Sequence, residues 1–244
     1  MKRILLTTVF LGALGLASPA LGADLPYAKA PVVAPQVYDW TGFYVGGFGG
    51  GGFGNHDLLN SDGPTASEVF TFNYTSTGAI AGGEFGYNWQ SGNYLIGFEA
   101  DGFWSGIKGS DATQALGFVD QSDLRWGATL RARGGIAVDR LLLFFTGGVA
   151  FGDIVHTSTN PGFPVDQFSN HRPGLTAGGG IAYAITNNVL GKLEYRFYDL
   201  GKYSRTGLNG LTPSGLLPFS VNNTYSVVTV GFDFKFGGPV VAKY

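Results

Sequence analysis

The 244-residue sequence contains no cysteine and little charge, and no long apolar segment follows its N-terminus. Without cysteine, the chain can hold neither a disulfide scaffold nor a zinc or iron–sulfur site built on thiolates. Its 15 basic and 17 acidic residues give a net charge of -2, whereas a nucleic-acid-binding protein usually carries a basic surplus. A disordered chain is also excluded, because 15% aromatic and only 13% charged residues are the reverse of its usual composition.

The first 22 residues are predicted to be a secretory signal peptide. Lys2 and Arg3 form a positively charged start, and an apolar stretch over residues 4–17 follows. Small residues before the break place cleavage after Gly22, with Ala23 as the near alternative. A retained membrane anchor is the alternative for this short segment, but no stop-transfer pattern follows it. Residues 23–38 contain three prolines and are expected to form a disordered periplasmic tail.

Alternation of apolar and polar residues with a period of two begins at Trp40. In the clearest stretch, residues 124–138, one face is apolar or small and the other carries Arg125, Arg131 and Arg133. A helix would distribute these arginines around its circumference, so the pattern predicts a strand. The same pattern predicts eight strands, at about 40–50, 79–89, 94–104, 124–138, 141–155, 174–185, 189–198 and 224–236.

Short and long connections alternate between these strands. Three tight turns, at 90–93, 139–140 and 186–188, separate four long segments at about 51–78, 105–123, 156–173 and 204–223. This layout predicts an all-β fold: an eight-stranded antiparallel transmembrane β-barrel over residues 39–236, with short periplasmic turns and four long extracellular loops. Residues 237–244 form a C-terminal extension. A soluble β-sandwich is the alternative, but 13% charge is too little to cover its surface.

The polar strand faces predict a lumen filled by an ionic network. Eight strands enclose a space about wide enough to be filled by side chains, and charges buried there must be paired. The predicted network consists of Glu84, Glu99, Asp101, Arg125, Arg131, Arg133, Lys192, Glu194, Arg196, Asp233 and Lys235. Four tryptophans close to predicted strand ends indicate an aromatic girdle at the membrane interfaces: Trp40, Trp89, Trp104 and Trp126.

Few residues suggest chemistry. The segment 47–52 matches G-x-G-x-x-G, but no helix that would bind phosphate follows it. His156 and His171 flank one long segment and are the candidate ligands for a metal or haem group. Asp153 with His156 is the only candidate catalytic pair at a strand end, and no third partner is evident. We therefore expect no catalytic residue, no metal and no enzymatic activity.

Three segments carry a family resemblance. They are residues 39–46 (DWTGFYVG), 194–201 (EYRFYDLG) and 234–238 (FKFGG). They resemble the alphaproteobacterial small outer-membrane β-barrel proteins, which include surface antigens and haemin-binding, porin-like members. The mature start at 23–26 (ADLP) is similar as well. The resemblance implies a barrel like the OmpA transmembrane domain and location in the cell outer membrane. This sequence departs from many such barrels by continuing past the aromatic Phe236 to Tyr244.

Taken together, the residues and the resemblance predict an integral outer-membrane protein with a structural or surface-interaction role in the cell envelope. The alternative is a small-solute porin or a haemin-binding surface protein. The expected partners are outer-membrane lipid and lipopolysaccharide, the barrel assembly machinery, and an extracellular ligand of the loops. Nucleic acid is not expected as a partner. No cofactor is expected, and haemin is the alternative.

Overall fold

The chain folds into a closed barrel. A computed structural model describes residues 38–61, 69–111, 119–159, 165–208 and 216–237, so the predicted signal peptide, residues 23–37 and residues 238–244 lie outside the described residues. Sequential strands pair antiparallel, and β8 pairs with β1 to close the sheet. The strands are β1 (Gly42–Ser61), β2 (Val69–Ser91), β3 (Tyr94–Asp111), β4 (Val119–Val138), β5 (Leu141–Thr159), β6 (Asp166–Ala184), β7 (Val189–Leu208) and β8 (Leu216–Lys235).

In the half of the barrel nearer the short turns, the outer surface forms an apolar belt. On β3, for example, Ile96 and Phe98 are 57% and 69% exposed, whereas their neighbours Leu95 and Glu99 are buried. Successive side chains of a pleated strand point to opposite faces, so one set lies outside the barrel and the other lies inside. The fold predicted from the alternation is confirmed: an all-β, closed, eight-stranded antiparallel barrel.

Two of the tight turns use the left-handed backbone region. Gly92 between β2 and β3 has φ 61°, and Asp139 between β4 and β5 has φ 50°. Glycine reaches this region without cost, and aspartate reaches it more readily than most residues do. These turns lie at the same end as residues 38–41 and the C-terminal end of β8.

The strands continue into segments that the sequence assigns to loops. β1 runs to Ser61 and β3 to Asp111, whereas the apolar alternation stops near Gly50 and Trp104. The reason is that apolar and polar residues alternate only where one face of the strand contacts lipid and the other face does not. Above that zone the outer face carries polar residues such as Lys108 and Ser110, and hydrogen bonds to neighbouring strands maintain the ladder.

A bulge in β4 changes the orientation of one arginine. Trp104 pairs with Trp126 and Ile107 pairs with Leu124, so two residues of β3 lie opposite Arg125 alone. Against β5, Leu124 pairs with Ile154 and Trp126 pairs with the adjacent Asp153, so Arg125 is the extra residue on β4. A bulge adds a residue and re-aims the side chains around it. Leu124 is therefore buried, and Arg125 is exposed beside Trp126 instead of joining the lumen as the sequence predicted.

Within the described ranges, no helix long and apolar enough to cross a membrane is present.

A lysine in place of Phe98 is expected to destabilise the barrel in lipid. Phe98 lies near the middle of the apolar belt and is 69% exposed. A charge on the lipid face near the bilayer midplane costs about 2–4 kcal/mol. Urea unfolding of the barrel refolded into phospholipid vesicles, followed by circular dichroism, measures this loss. Thr75→Lys, on the exposed polar part of β2, is the control and should change the free energy of unfolding by less than about 1 kcal/mol. Equal effects of the two substitutions would contradict the membrane-facing role of the belt.

Candidate functional site

The lumen is the place where polar chemistry concentrates. All of the residues predicted for the ionic network except Arg125 are buried, and none of these is more than 6% exposed. They are Glu84, Glu99, Asp101, Arg131, Arg133, Lys192, Glu194, Arg196, Asp233 and Lys235.

Glu99 and Arg131 face each other across β3 and β4 at the centre of the lumen. One guanidinium nitrogen, Arg131 Nη2, is hydrogen-bonded to Glu99 and lies 3.0 Å from Asp101 Oδ2. The other, Nη1, donates to Glu194 Oε1 at 2.5 Å and to Thr146 Oγ1 at 3.2 Å. Three carboxylates thus surround one guanidinium whose planar fork supplies several donors.

Two further cations, Arg196 and Lys192, connect these acids with Glu84. Arg196 Nη2 lies 3.2 Å from Glu84 Oε2 and 2.8 Å from Glu194 Oε2. Lys192 pairs with Glu84 and lies 3.4 Å from Glu99 Oε2 and 3.5 Å from Glu194 Oε2. Each acid is therefore shared by more than one base, so the pairs form one connected network. Loss of a single member leaves several charges uncompensated in a dry environment.

Aromatic side chains connect the network to its surroundings. Tyr44 donates its hydroxyl hydrogen to Glu99 Oε2 at 2.7 Å and accepts a hydrogen bond from Arg133 Nη1 at 3.1 Å. The Arg133 guanidinium also stacks 3.8 Å from the centre of the Phe144 ring. Such stacking satisfies a cation without adding a further acid.

Two apolar clusters occupy the lumen on either side of the charges. Sequence reasoning missed them, because alternation was read as apolar outside and polar inside. The cluster toward the short turns comprises Tyr38, Trp40, Leu95, Ala137, Leu142, Phe144, Ala182, Ala184 and Leu190. The cluster on the other side comprises Phe48, Ile80, Phe103, Ile107, Leu124, Ala150, Ile154, Tyr198, Leu200, Tyr225 and Val227. The available signal was the run 141–145 (LLLFF), in which both faces of β5 are apolar.

The inner wall opposite the long charged side chains is built from small residues. Gly178 of β6 pairs with Arg196, and Gly180 pairs with Glu194. A Cβ at Gly178 would lie 2.6 Å from the Tyr195 carbonyl oxygen, so this close approach of two strands needs glycine.

The carboxylates of Glu84, Glu99 and Glu194 lie close enough together to form a metal-binding site. One oxygen from each lies within 4.8 Å of the other two. Lys192 contacts all three of these carboxylates, and Arg196 also reaches each of them within 4.0 Å. The chain's own cations thus occupy the position that a metal ion would take, which favours an ionic network over a metal centre.

Lys235 lies away from this centre, whereas Asp233 interacts with Glu84 at its edge. Lys235 donates a hydrogen bond to the Asp39 carbonyl oxygen and lies 4.6 Å from the Tyr38 ring centre. Asp233 is buried against Gly46, where a Cβ would overlap its carboxylate. Lys235 therefore serves the mouth of the barrel and not the central pairs.

Residues 38–40 close the barrel at the end with the short turns. Trp40 is fully buried and donates its indole N–H to the Asp139 carbonyl oxygen at 3.1 Å, while its backbone N–H donates to Gln90 Oε1 at 2.7 Å. Tyr38 donates its hydroxyl hydrogen to the Asn187 carbonyl oxygen at 3.0 Å. Burial raises the pKa of the Tyr38 phenol to about 12, so the donor is retained at neutral pH. We call residues 38–40 the mouth cap; it reaches all three short turns.

The mouth cap corrects the prediction for Trp40. The sequence placed this residue in an aromatic girdle, but its side chain is buried because it lies across the barrel opening. The three other tryptophans are on the outer surface: Trp89 is 58%, Trp104 77% and Trp126 41% exposed. Trp89 lies near the short turns, whereas Trp104 and Trp126 pair with each other toward the opposite end.

His56 and His156 lie apart from the charged centre. His56 is buried, with Nδ1 2.8 Å from Asn223 Oδ1 and Nε2 3.0 Å from Ser76 Oγ. His156 is 7% exposed, and its Nδ1 lies 2.7 Å from Ser122 Oγ. The register pairs His171 with Asp153 and His156 with Phe168, and the side chain of His171 lies outside the described residues.

The other candidate motifs are incorporated into strands. Residues 47–52 lie inside β1, and no helix follows them within the described part of the chain. Asp153 is buried and lies opposite Trp126, whereas His156 lies opposite Ser122. Residues 47–52 therefore lack the helix N-terminus at which a nucleotide phosphate would bind.

Comparison with known proteins places this barrel among outer-membrane proteins. Residues 10–236 match the family described as outer membrane protein beta-barrel domain. The chain is 33% identical over 251 residues to the 31 kDa outer-membrane immunogenic protein of Brucella melitensis, covering 97% of this chain and 100% of that protein. It is 31% identical over 171 residues to the 22 kDa outer membrane protein of Rhizobium leguminosarum, covering 70% and 68%.

Among solved structures, the outer membrane protein OprG from Pseudomonas aeruginosa is similar in fold. The TM-score is 0.51 at 15% sequence identity, covering 81% of this chain and 97% of that one. At this identity the likeness concerns the fold alone.

Replacing Arg131 by glutamine is expected to destabilise the barrel by about 3–5 kcal/mol, because Glu99, Asp101 and Glu194 then lose their shared partner in a buried site. Arg125→Gln is the matched control on the same strand, since Arg125 is exposed, and should change the free energy of unfolding by less than about 0.5 kcal/mol. Urea unfolding in vesicles measures both. Equal losses would contradict the central role of Arg131.

Replacing Trp40 by phenylalanine is expected to cost about 1–3 kcal/mol, because the Asp139 carbonyl oxygen loses the indole donor in a buried position. Trp89→Phe makes the same chemical change on the lipid-facing surface and should cost less than about 0.5 kcal/mol. Unfolding followed by far-ultraviolet circular dichroism compares the two variants. If Trp40→Phe were as stable as the wild type, the mouth cap would not hold the short turns together.

Proposed function

The chain belongs to the outer membrane protein β-barrel family, and on that premise we propose that it is a non-conducting structural barrel that presents its long connections at the cell surface. The observation that carries the proposal is the filled lumen, where charged side chains lie between two apolar clusters. An envelope barrel of this kind anchors surface segments without opening a path for solutes.

The contacts inside the lumen support a closed state. Arg131 and Arg196 have no exposed side-chain surface, and their pairs with Glu99, Asp101 and Glu194 cross the interior. Opening a path for water would require these pairs to separate, and each buried pair that is broken leaves uncompensated charge. The mouth cap supports closure at a second level, because Trp40 fills the opening beneath the network.

Single-channel recording tests this proposal. In planar bilayers, the refolded wild-type barrel should give no stable conductance steps under conditions in which an open porin gives them. The double substitution Arg131→Ala with Arg133→Ala removes two lumen cations and should produce small, irregular openings if the barrel still inserts. Large, stable channels from the wild type would favour the small-solute porin instead.

The orientation of the barrel can be tested with single thiols, because the natural chain has no cysteine. Ser110→Cys lies near the end of β3 remote from the short turns, and Ser91→Cys is at the last residue of β2, next to a short turn; both serines are exposed. A membrane-impermeant maleimide should label Ser110→Cys but not Ser91→Cys on intact cells, and both after lysis. The reverse pattern would overturn the proposed orientation.

The proposal includes no catalytic activity and no cofactor. The buried position of His156 supports this for haemin, because a haem ligand must present a ring nitrogen to an iron that can reach it. Titration of the refolded barrel with haemin should give no shift in the absorption spectrum beyond that in detergent alone. A saturable shift abolished by His156→Ala or His171→Ala would favour the haemin-binding alternative.

Assembly machinery and outer-membrane lipid are the partners that insertion requires.

A further inference from the structure

The outer wall of the barrel carries a cavity that closure of the lumen does not require. It lies across β2, β3 and β4 and has a volume of about 680 Å³. Small residues form its floor, including Gly83, Ala100, Gly102 and Ala128, and Trp104 and Trp126 stand beside them. A volume of this size is within the range of about 300–1,000 Å³ that ligand pockets have. The floor leaves a recess on a surface where neighbouring strands present Phe and Leu side chains.

Two exposed basic side chains lie beyond the cavity lining, toward the end of the barrel remote from the short turns. The bulge in β4 exposes Arg125 next to Trp126. Lys108 is exposed on β3, and its register partner is Asp123. The Asp123 carboxylate accepts two hydrogen bonds from Gln121 Nε2, at 2.9 and 3.0 Å. Among the described side chains, Arg125 and Lys108 thus outnumber the one acid beside them, and no ion pair in this part of the chain engages either cation.

The height of the cavity places these cations at a membrane surface. Trp104 follows Tyr94, the first residue of β3, by ten residues. At about 3.3 Å per residue and a tilt of about 40°, Trp104 lies roughly 25 Å above the short turns, which is about the height of the apolar band. The cavity therefore lies in the acyl region, and Arg125 and Lys108 lie where lipid headgroups begin.

We propose that this cavity binds a phosphorylated glycolipid of the lipopolysaccharide class. An acyl chain occupies the recess over Gly102 and Ala128, with the indole rings of Trp104 and Trp126 beside it. A phosphate group of the same lipid is bound by Arg125 and Lys108, since arginine pairs with phosphate through two parallel hydrogen bonds. The choice of lipid rests on the proposed orientation, in which this end of the barrel faces the cell surface.

Native mass spectrometry of the refolded barrel in detergent tests the proposal with diphosphoryl lipid A as the probe. Dephosphorylated lipid A and phosphatidylglycerol serve as comparison lipids. The wild type should retain diphosphoryl lipid A best. Combined substitution of Arg125→Gln and Lys108→Gln should weaken its retention roughly tenfold, as expected from losing a charge-assisted contact. Lys202→Gln removes another exposed cation, on β7, and should leave retention unchanged.

A second pair of variants tests the acyl recess without disturbing the fold. A Cβ at Gly102 would meet only the Gly127 carbonyl oxygen, at 4.0 Å, and a Cβ at Gly147 on β5 would meet only that of Thr176, also at 4.0 Å. Both glycines face outward, so valine fits either position and suits a strand. Gly102→Val fills the recess and should reduce lipid retention several-fold, whereas Gly147→Val should not.

Each remaining outcome decides the proposal. Equal retention of phosphorylated and dephosphorylated lipid A, or preference for phosphatidylglycerol, would overturn it, as would unchanged retention in both Arg125→Gln/Lys108→Gln and Gly102→Val. A dimer of the wild type that Gly102→Val converts to a monomer would show that a second copy covers the cavity, which would also overturn it. Because binding is measured on purified barrel, conductance or reversed thiol labelling would refute the proposed function without altering this result.

Discussion

The lumen depends on one electrostatic requirement: charges removed from water must be paired with each other. Glu99 and Arg131 meet across β3 and β4, and Asp101, Glu194, Lys192 and Arg196 extend that pair around the interior. Their pairing restricts which residues the wall can hold. Glycines such as Gly178 stand where strands approach closely beside the long side chains, and apolar clusters above and below keep water from the charges.

The same requirement connects closure with function. A barrel whose interior is filled by side chains is stabilised by its interior contacts. Its surface residues can then differ without disturbing those contacts. The mouth cap illustrates the separation: Trp40 joins two short turns and Tyr38 a third, so the cap adds closure without using any charge of the central network.

The bulge in β4 shows how a local irregularity changes the assignment of a residue. Strict alternation groups Arg125 with Arg131 and Arg133, and it would give the lumen one more cation. The extra residue shifts the pleat, so that Leu124 packs inside and Arg125 stands beside Trp126 on the exposed side. A residue that sequence reasoning assigns to the network thus becomes available at the membrane surface, next to the recess between β2 and β4.

Much of this fold can be predicted from the sequence, because each strand contacts lipid on one face only and its apolar residues therefore recur at every second position. The tight turns marked by Gly92 and Asp139 follow from their turn-forming residues, and the identity of most lumen charges follows from the periodicity. Periodicity carries no information where both faces have the same polarity. The extensions of β1 and β3, the inward Leu142 and Phe144, and the buried Trp40 therefore depend on closure of the sheet, which decides what each face meets. Composition and alternation determine that a barrel forms; only its three-dimensional register decides which charges pair, where β4 bulges and what fills the mouth.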